Sequence, residues 1–281
     1  MIVVVGLLAF FLMWVFIALP QGREKSRMVG CQQNLMQIGK GLELYHQANR
    51  RFPSVPELGT RAGTSPIQAM LEGLVLPDLT GISDTKTPPK PTTAPPRGTR
   101  VPGLACPSDS NAMAGLFDGP ISYRANTGAS TSGQGGPFAP GRSTSIPEVE
   151  AADGLAYTAS FAERLVGNGR DGQPARENYA RPLGPIGPDG CPSLGDDLWK
   201  GDAGSDWAEA SWRSTLYGHA LTPNATPSCI AEDGRTAAIG ASSAHPNRVN
   251  VLMLDGSLRG ITPTIDPKIW RAMGTIGTAN P

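Results

Sequence analysis

Residues 1–19, MIVVVGLLAFFLMWVFIAL, carry no charged or strongly polar side chain, and the stretch Arg23 to Arg27 then closes the run with charge. A helix from Ile2 to Leu19 would measure about 27 Å, close to the roughly 30 Å hydrocarbon core of a bilayer. A buried core helix would show polar residues on one side, and the first here is Gln21. A cleaved secretory signal would show a basic start, a shorter apolar core and a small-residue cleavage site, none of which is present. The expectation is an uncleaved single-pass anchor over 1–21, with the lipid bilayer as partner through residues 2–19.

The remaining chain is long enough to bury a core. With 35 glycines and 27 prolines in 281 residues, that core must be built around long loops. Only 17% of residues are charged and the formal net charge is zero, so the basic footprint of a nucleic-acid binder is missing. Cys31, Cys106, Cys191 and Cys229 form no CxxC pair, and three histidines are few helpers, so neither a metal site nor a cofactor is expected. Two disulfides in any of three pairings and four small buried thiols both remain open.

Met28, Cys31, Leu35, Ile38, Leu42 and Tyr45 recur at spacings of three and four, with Arg27, Gln33, Gln37, Lys40 and Glu43 on the other faces. The anchor is therefore expected to continue as an amphipathic helix over 22–51, kinked at Pro20 and ended by Arg50-Arg51-Phe52-Pro53. Gly30, Gly39 and Gly41 within so short a stripe argue for packing on the chain's own domain rather than a coiled coil. Ser65-Pro66 reads as the cap and first position of a short helix through Ile67, Met70, Leu71 and Leu74. The proline-rich text from 85 to 102 reads as an extended loop. Strands are expected at Ile121 to Asn126 and, from alternation, at Leu155 to Phe161. The acidic cluster Asp196, Asp197, Asp202 and Asp206 lacks calcium-loop spacing and reads as a solvated loop, and residues 207–221 suggest a further buried element. Arg248 to Leu254 and Ser257 to Ile261 flank Asp255-Gly256, which suits a two-residue type I′ hairpin turn. Asp266, Pro267, Trp270 and Gly274 spell a closing helix with its cap, its first residue and its C′ glycine.

Several of these blocks together resemble a pilin-like bacterial family of unknown function that has a prepilin-type N-terminus and a C-terminal H-x(9)-D-G motif. The blocks are ALPQGREKSRMVGCQQNLMQIGKGLELYHQANRRFP at 18–53, LACPSD at 104–109, SYRANTG at 122–128, ADGLAYTASFAERLVG at 152–167, HPNRVNVLMLDGSLRGI at 245–261 and DPKIWRAMGT at 266–275. The resemblance implies an α+β architecture in which a long N-terminal helix, membrane-spanning and then amphipathic, packs on an antiparallel β-sheet with long Gly/Pro-rich loops. It implies a pilin-like globular domain over 52–281, with family-motif positions of structural role at Cys31, Asn34, Cys106, Pro107, Glu163, His245, Asn250, Asp255, Gly256 and Trp270. It also implies single-pass residence in the inner membrane with the domain extracytoplasmic, although Arg23, Lys25 and Arg27 after the helix would favour the opposite orientation. The chain opens at MIVVVGLL, without the basic leader and G-F-T-L-I-E-like site of pilin-class proteins.

Enzymatic motifs are missing: there is no Walker A loop, G-x-S-x-G elbow or H-E-x-x-H. His245, Asp255 and one of Ser242, Ser243 or Ser257 could be drawn as a hydrolytic triad, but the turn needs Asp255 for backbone reasons. His245 and Asn250 are expected to bond the hairpin or neighbouring loops, and Glu163 to be either an exposed charge or a partner of Arg164 or Arg124. The expected function is a non-enzymatic, pseudopilin-like envelope component of a type II secretion-like or pilus-like assembly, partnered by assembly proteins or by copies of itself. A monomeric anchored extracytoplasmic binding module is the first rival and a membrane-tethered hydrolase the second.

Overall fold

The computed structural model describes residues 2–59, 63–73, 95–188, 190–195 and 198–277, with the side chains of the first helix described from Gly22 onward. That helix, α1, runs from Ile2 to Asn49 as one element of 48 residues, about 72 Å long. It runs on through Pro20, as expected of an anchor that continues into the amphipathic helix; a proline removes one bond from the ladder, and the rest of so long a ladder carries the helix on. It stops where Arg50 enters the left-handed region (φ 59°) and donates its N–H to His46 O at 2.7 Å, a helix end more often made with glycine.

The chain then forms β1 (Gly63–Thr64), α2 (Pro66–Gly73), a 3₁₀ turn at Pro102–Leu104, α3 (Ser110–Met113), β2 (Tyr123–Asn126), α4 (Ile146–Glu150) and β3 (Ala159–Glu163). Short strands follow as β4 (Tyr179–Ala180), β5 (Trp199–Lys200), β6 (Glu209–Ala210), β7 (Leu216–Tyr217), β8 (Cys229–Ile230) and β9 (Ala237–Ala238). The hairpin β10 (Val249–Met253) and β11 (Leu258–Ile261) and the helix α5 (Pro267–Gly274) close the fold. The principal sheet is ordered β11-β10-β3-β2-β7 and a second β5-β4-β8-β9, while β1 pairs with β6. The architecture is α+β, but the sheets are mixed: β2 runs parallel to β7 and β4 to β8.

The stripe of α1 meets the principal sheet. Cys31, Leu35, Ile38 and Leu42 are buried, while Met28 and Tyr45 are half-buried. Each fully buried aliphatic chain contributes roughly 1.5–3 kcal/mol. Helix and strand come close at Gly39, where a Cβ would stand 3.2 Å from Leu252 Cδ2 of β10. At the start of α2, Ser65 Oγ accepts from Gln68 N at 3.0 Å, the expected cap.

Three details differ from expectation. The strand read at 155–161 lies at Ala159–Glu163, all buried, while Tyr157 is 64% exposed; a strand covered on both faces shows no alternation, so the alternating text pointed to the turn before it. The hairpin has a three-residue loop: Met253 N bonds Ser257 O at 2.9 Å, Gly256 N bonds Met253 O, and Gly256 (φ 83°) alone takes positive φ. Asp255 instead accepts from Ser257 N and Oγ, so a two-residue type I′ turn is ruled out. Gly274 is the last residue of α5 rather than its C′ stop, and the extended Thr275 (φ −111°) follows it, while Asp266 caps the start as expected, accepting from Lys268 N at 2.7 Å. Leu74, residues 85–94 of the proline-rich text, Asp196 and Asp197 lie outside the described residues. Asp202 accepts from Tyr179 OH and Arg213, and Asp206 from Ala208 N.

Candidate functional site

Period two places Asn250 and Leu252 of β10 on the side of the sheet that faces α1, since Leu252 meets Gly39 there. The antiparallel register of Val251 with Ala162 then sets Asn250 opposite Glu163 of β3. Asn250 donates its backbone N–H to Glu163 Oε2 and its side-chain amide to Glu163 Oε1, both at 2.9 Å. From the helix, Gln32 Nε2 donates to Asn250 Oδ1 at 3.3 Å. One carboxylate is thus fixed at the bottom of the helix–sheet seam.

His245 enters from the loop before β10 and lies between two acids. Its Nδ1 is 2.8 Å from Glu24 Oε1 of α1, and its Nε2 is 3.3 Å from Glu163 Oε1. The imidazole is fully buried and Glu163 is 2% exposed; Glu24 is 27% exposed and forms the outer edge. Ser108 Oγ also donates to Glu24 Oε1 at 2.9 Å, and Arg27 Nε pairs with Glu24 Oε2 at 3.4 Å. Burial alone would push His245 toward the neutral form, but the bonds and charges of Glu163 and then Glu24 outweigh it and raise the pKa above 6.5. Removing one partner of such a buried pair costs about 3–5 kcal/mol, because the other charge is left behind.

The disulfide Cys31–Cys106 abuts this pair, with Cys106 Sγ 3.8 Å from His245 Nε2. It joins the buried face of α1 to the loop after the 3₁₀ turn. The potential ligand atoms of Cys31, Cys106, Glu163 and His245 all lie within 4.8 Å of one another, and all four residues are buried. Tyr123, opposite Glu163 in the β2–β3 register, has its phenol pKa raised by burial and by the Glu163 charge, and Asn34 Nδ2 reaches both its OH (3.2 Å) and Ala105 O (3.1 Å).

The family-motif positions therefore divide. Cys31, Asn34, Cys106, Glu163, His245 and Asn250 meet at one end of β10, and Pro107 stands beside α1, 3.4 Å from where a Gly30 Cβ would lie. Asp255 and Gly256 are exposed in the turn beyond the far end of β10. Trp270 belongs to a third place, stacked on His219 at 3.8 Å with its Nε1 donating to Leu221 O at 2.7 Å. His219 is buried and neutral, its pKa lowered to about 3 by burial although Nδ1 bonds Trp270 O at 2.7 Å. Of the two partners expected for His245, the hairpin or neighbouring loops, it meets the loop residues Cys106 and Ser243, but its ring is held mainly by Glu24 of α1 and Glu163 of β3. The expectation for Glu163 is corrected, since it pairs with His245 and Asn250 rather than standing exposed or meeting Arg164 or Arg124.

The triad drawn from His245, Asp255 and one of Ser242, Ser243 or Ser257 is not assembled. Asp255 is exposed and bonded to Ser257, Ser242 Oγ accepts from Arg164 Nη1 and Leu165 N, and Ser243 Oγ accepts the backbone N–H of His245. Sequence reasoning missed Glu24 and Gln32. Their signal was present: Glu24 stands one heptad before Cys31, on the stripe, just where the stripe turns polar.

A second polar group lies deeper. Asp109 caps α3, accepting from Ala112 N, Ser122 Oγ and Val166 N, with its pKa raised by burial. Arg124 and Arg164 are buried beyond it; Arg124 Nη1 donates to Trp212 O, and Arg164 donates to Ser242 Oγ and Asn178 O. Every distance here suits structural bonding of loops to the sheet.

Residues 20–268 match the family described as "Protein of unknown function (DUF1559)". No curated protein and no solved structure matches the chain.

Proposed function

We propose, for a chain that belongs to the DUF1559 family of proteins of unknown function, a non-enzymatic role as a membrane-anchored, pseudopilin-like envelope protein with its globular part outside the inner membrane. One observation carries this reading. The single helix α1 begins in the apolar run and ends under the sheet, and from Glu24 onward it is tied to the globular part by the Glu24–His245 pair, the Cys31–Cys106 disulfide, the buried Leu35, Ile38 and Leu42, and His46, which accepts from Ile146 N. Such a helix fixes a domain rigidly to whatever holds its first half. Among the described residues no helix is long and apolar enough to cross a membrane; the run at 1–19 falls where side chains lie outside them, so the anchor rests on the sequence alone.

Val29 and Met36, one heptad apart on α1, are 51% and 48% exposed, a short apolar strip that supports packing against other helices in an assembly. The rival reading, a monomeric anchored binding module, is favoured by the fact that the main apolar stripe is already covered by the chain's own sheet. Fractionation tests the anchor: the full chain should sediment with the inner membrane and a chain starting at Gly22 should stay soluble, whereas a full chain that remains soluble after high-speed centrifugation ends the idea. For orientation, a cysteine placed in the 85–102 text should react with a membrane-impermeant maleimide on intact spheroplasts, since the four native cysteines are paired. Labelling only after lysis would place the domain inside.

A further inference from the structure

We propose that this chain, when the Cys31–Cys106 disulfide is open, binds one zinc ion through Cys31, Cys106, His245 and Glu163. The inference goes beyond the anchored-assembly reading and stands independently of it. The observation is geometric. In a tetrahedral zinc site with Zn–N near 2.05 Å, Zn–O near 2.1 Å and Zn–S near 2.3 Å, a nitrogen and an oxygen ligand stand about 3.4 Å apart and a nitrogen and a sulfur about 3.6 Å. His245 Nε2 is 3.3 Å from Glu163 Oε1 and 3.8 Å from Cys106 Sγ, so the imidazole already stands near tetrahedral separations from two further ligands, and all four ligand atoms lie within 4.8 Å of one another. The fourth, Cys31, has its Cα 4.9 Å from that of Cys106. Rotation about Cα–Cβ opens such a pair to the about 3.8 Å of two zinc-bound sulfurs.

The supporting groups suit the same ion. Glu24 accepts from Nδ1 of His245, which directs the lone pair of Nε2 toward Glu163 and the sulfurs, the carboxylate–histidine arrangement found behind zinc-bound imidazoles. Asn250 holds both oxygens of Glu163, and Gln32 holds Asn250. Two thiolates with one imidazole select zinc over calcium or magnesium. Glu24, 27% exposed, lies at the outer edge of the site, where Ser108 and Arg27 hold its carboxylate.

The chemistry balances with a dithiol as reductant. One of its thiolates attacks the Cys31–Cys106 bond, the second resolves the mixed disulfide, and the dithiol leaves as a cyclic disulfide while its two electrons and two protons pass to the Cys31 and Cys106 sulfurs. Zinc then replaces both thiol protons and the proton on Nε2, which leave to solvent. Disulfide and zinc site are thus alternative states of one set of residues, the second available before the bond closes or after a dithiol opens it.

The test uses the full chain in detergent, oxidised or reduced with dithiothreitol and then freed of it without oxygen. Titration with Zn²⁺ against a chromophoric chelator should give one ion per reduced chain and none per oxidised chain. Co²⁺ should give the intense visible bands of a tetrahedral site with thiolate charge transfer. The Cys191→Ser/Cys229→Ser variant should keep both signals, Cys31→Ser/Cys106→Ser should lose them, and Glu163→Gln and His245→Ala should each weaken binding at least about tenfold. Equal binding by oxidised and reduced chains, or binding that survives loss of Cys31 and Cys106, overturns the proposal. If reduction unfolds the domain, Zn²⁺ must restore its near-ultraviolet circular dichroism, and a reduced chain that stays unfolded with zinc overturns it as well.

Discussion

The two disulfides are the same covalent bond in unlike surroundings. Cys31–Cys106 joins α1 to the principal core, with both residues at most 3% exposed and with His245, Glu163 and Glu24 within one or two contacts. Cys191–Cys229 sits in a small satellite core with Ala180, Ile186, Trp199 and Ala238, beside a cleft lined by Pro192, Ser193 and Thr226. Among the described residues, the one cluster of metal-ligating side chains lies at the first bond. Loop closure treats the two nearly alike; what differs is the neighbourhood, and that is where any chemistry beyond crosslinking must come from.

The largest expected effect tests this directly. The separations of 75 and 38 residues correspond to chain-entropy stabilisations of about 4.5 and about 3.9 kcal/mol, a difference of only about 0.6 kcal/mol. Cys31→Ala/Cys106→Ala should nevertheless cost clearly more than Cys191→Ala/Cys229→Ala in urea melts, because it also loosens α1 from the sheet and wets a buried ion pair. If the two costs differ by no more than loop length predicts, the neighbourhood contributes nothing.

Next comes the carboxylate. Glu163→Ala should destabilise by about 3 kcal/mol, since it leaves His245 and two Asn250 donors without their buried acceptor. Arg176→Ala, an exposed change beside the second disulfide, should stay within about 0.5 kcal/mol. Similar values for the two would mean that water reaches the Glu163 site freely. Leu35→Ala, in the seam that the first disulfide closes, should cost about 2–3 kcal/mol if the cavity relaxes partly; a loss under about 0.5 kcal/mol would show that α1 leaves the sheet easily and offers its stripe to partners.

Legibility in the sequence follows the range of the interactions. The stripe of α1, the Ser65 and Asp266 caps and the hairpin of β10 and β11 depend on residues at most a few positions apart, and periodicity and capping chemistry reveal them. The site does not depend on near neighbours: Glu24 meets His245 across 221 residues and Glu163 meets Asn250 across 87. No spacing rule encodes such pairs. His245 stands out as a motif residue and Asp255 is the turn residue expected of it, at the other end of the strand, so the motif itself names neither of the acids that His245 meets. Four cysteines admit three pairings, and only the fold distinguishes them. β3 was misplaced because burial on both faces erases the alternation that identifies half-buried strands.

The smallest effect is the pH dependence, and it separates the two regions most cleanly. With its pKa raised above 6.5 in the folded protein, His245 binds a proton more tightly folded than unfolded. Its contribution is therefore full below pH 6.5 and is lost as pH rises through the raised value. His219, with a folded pKa of about 3, and His46, also lowered, act in the opposite sense, removing stability as pH falls below 6.5. The whole-protein slope mixes these terms, so the measurement is the difference between the wild type and His245→Gln in urea melts from pH 5 to pH 9. That difference should shrink as pH rises above neutrality. Cys191→Ala/Cys229→Ala should keep the wild-type pH profile, because His46, His219 and His245 are bonded to Ile146, Trp270 and Glu24 instead, whereas Cys31→Ala/Cys106→Ala should alter it, because Cys106 Sγ helps to exclude water from Nε2. A His245→Gln profile parallel to the wild type at every pH would show that the imidazole carries no charge between its two acids, and the first disulfide would then differ from the second in packing alone.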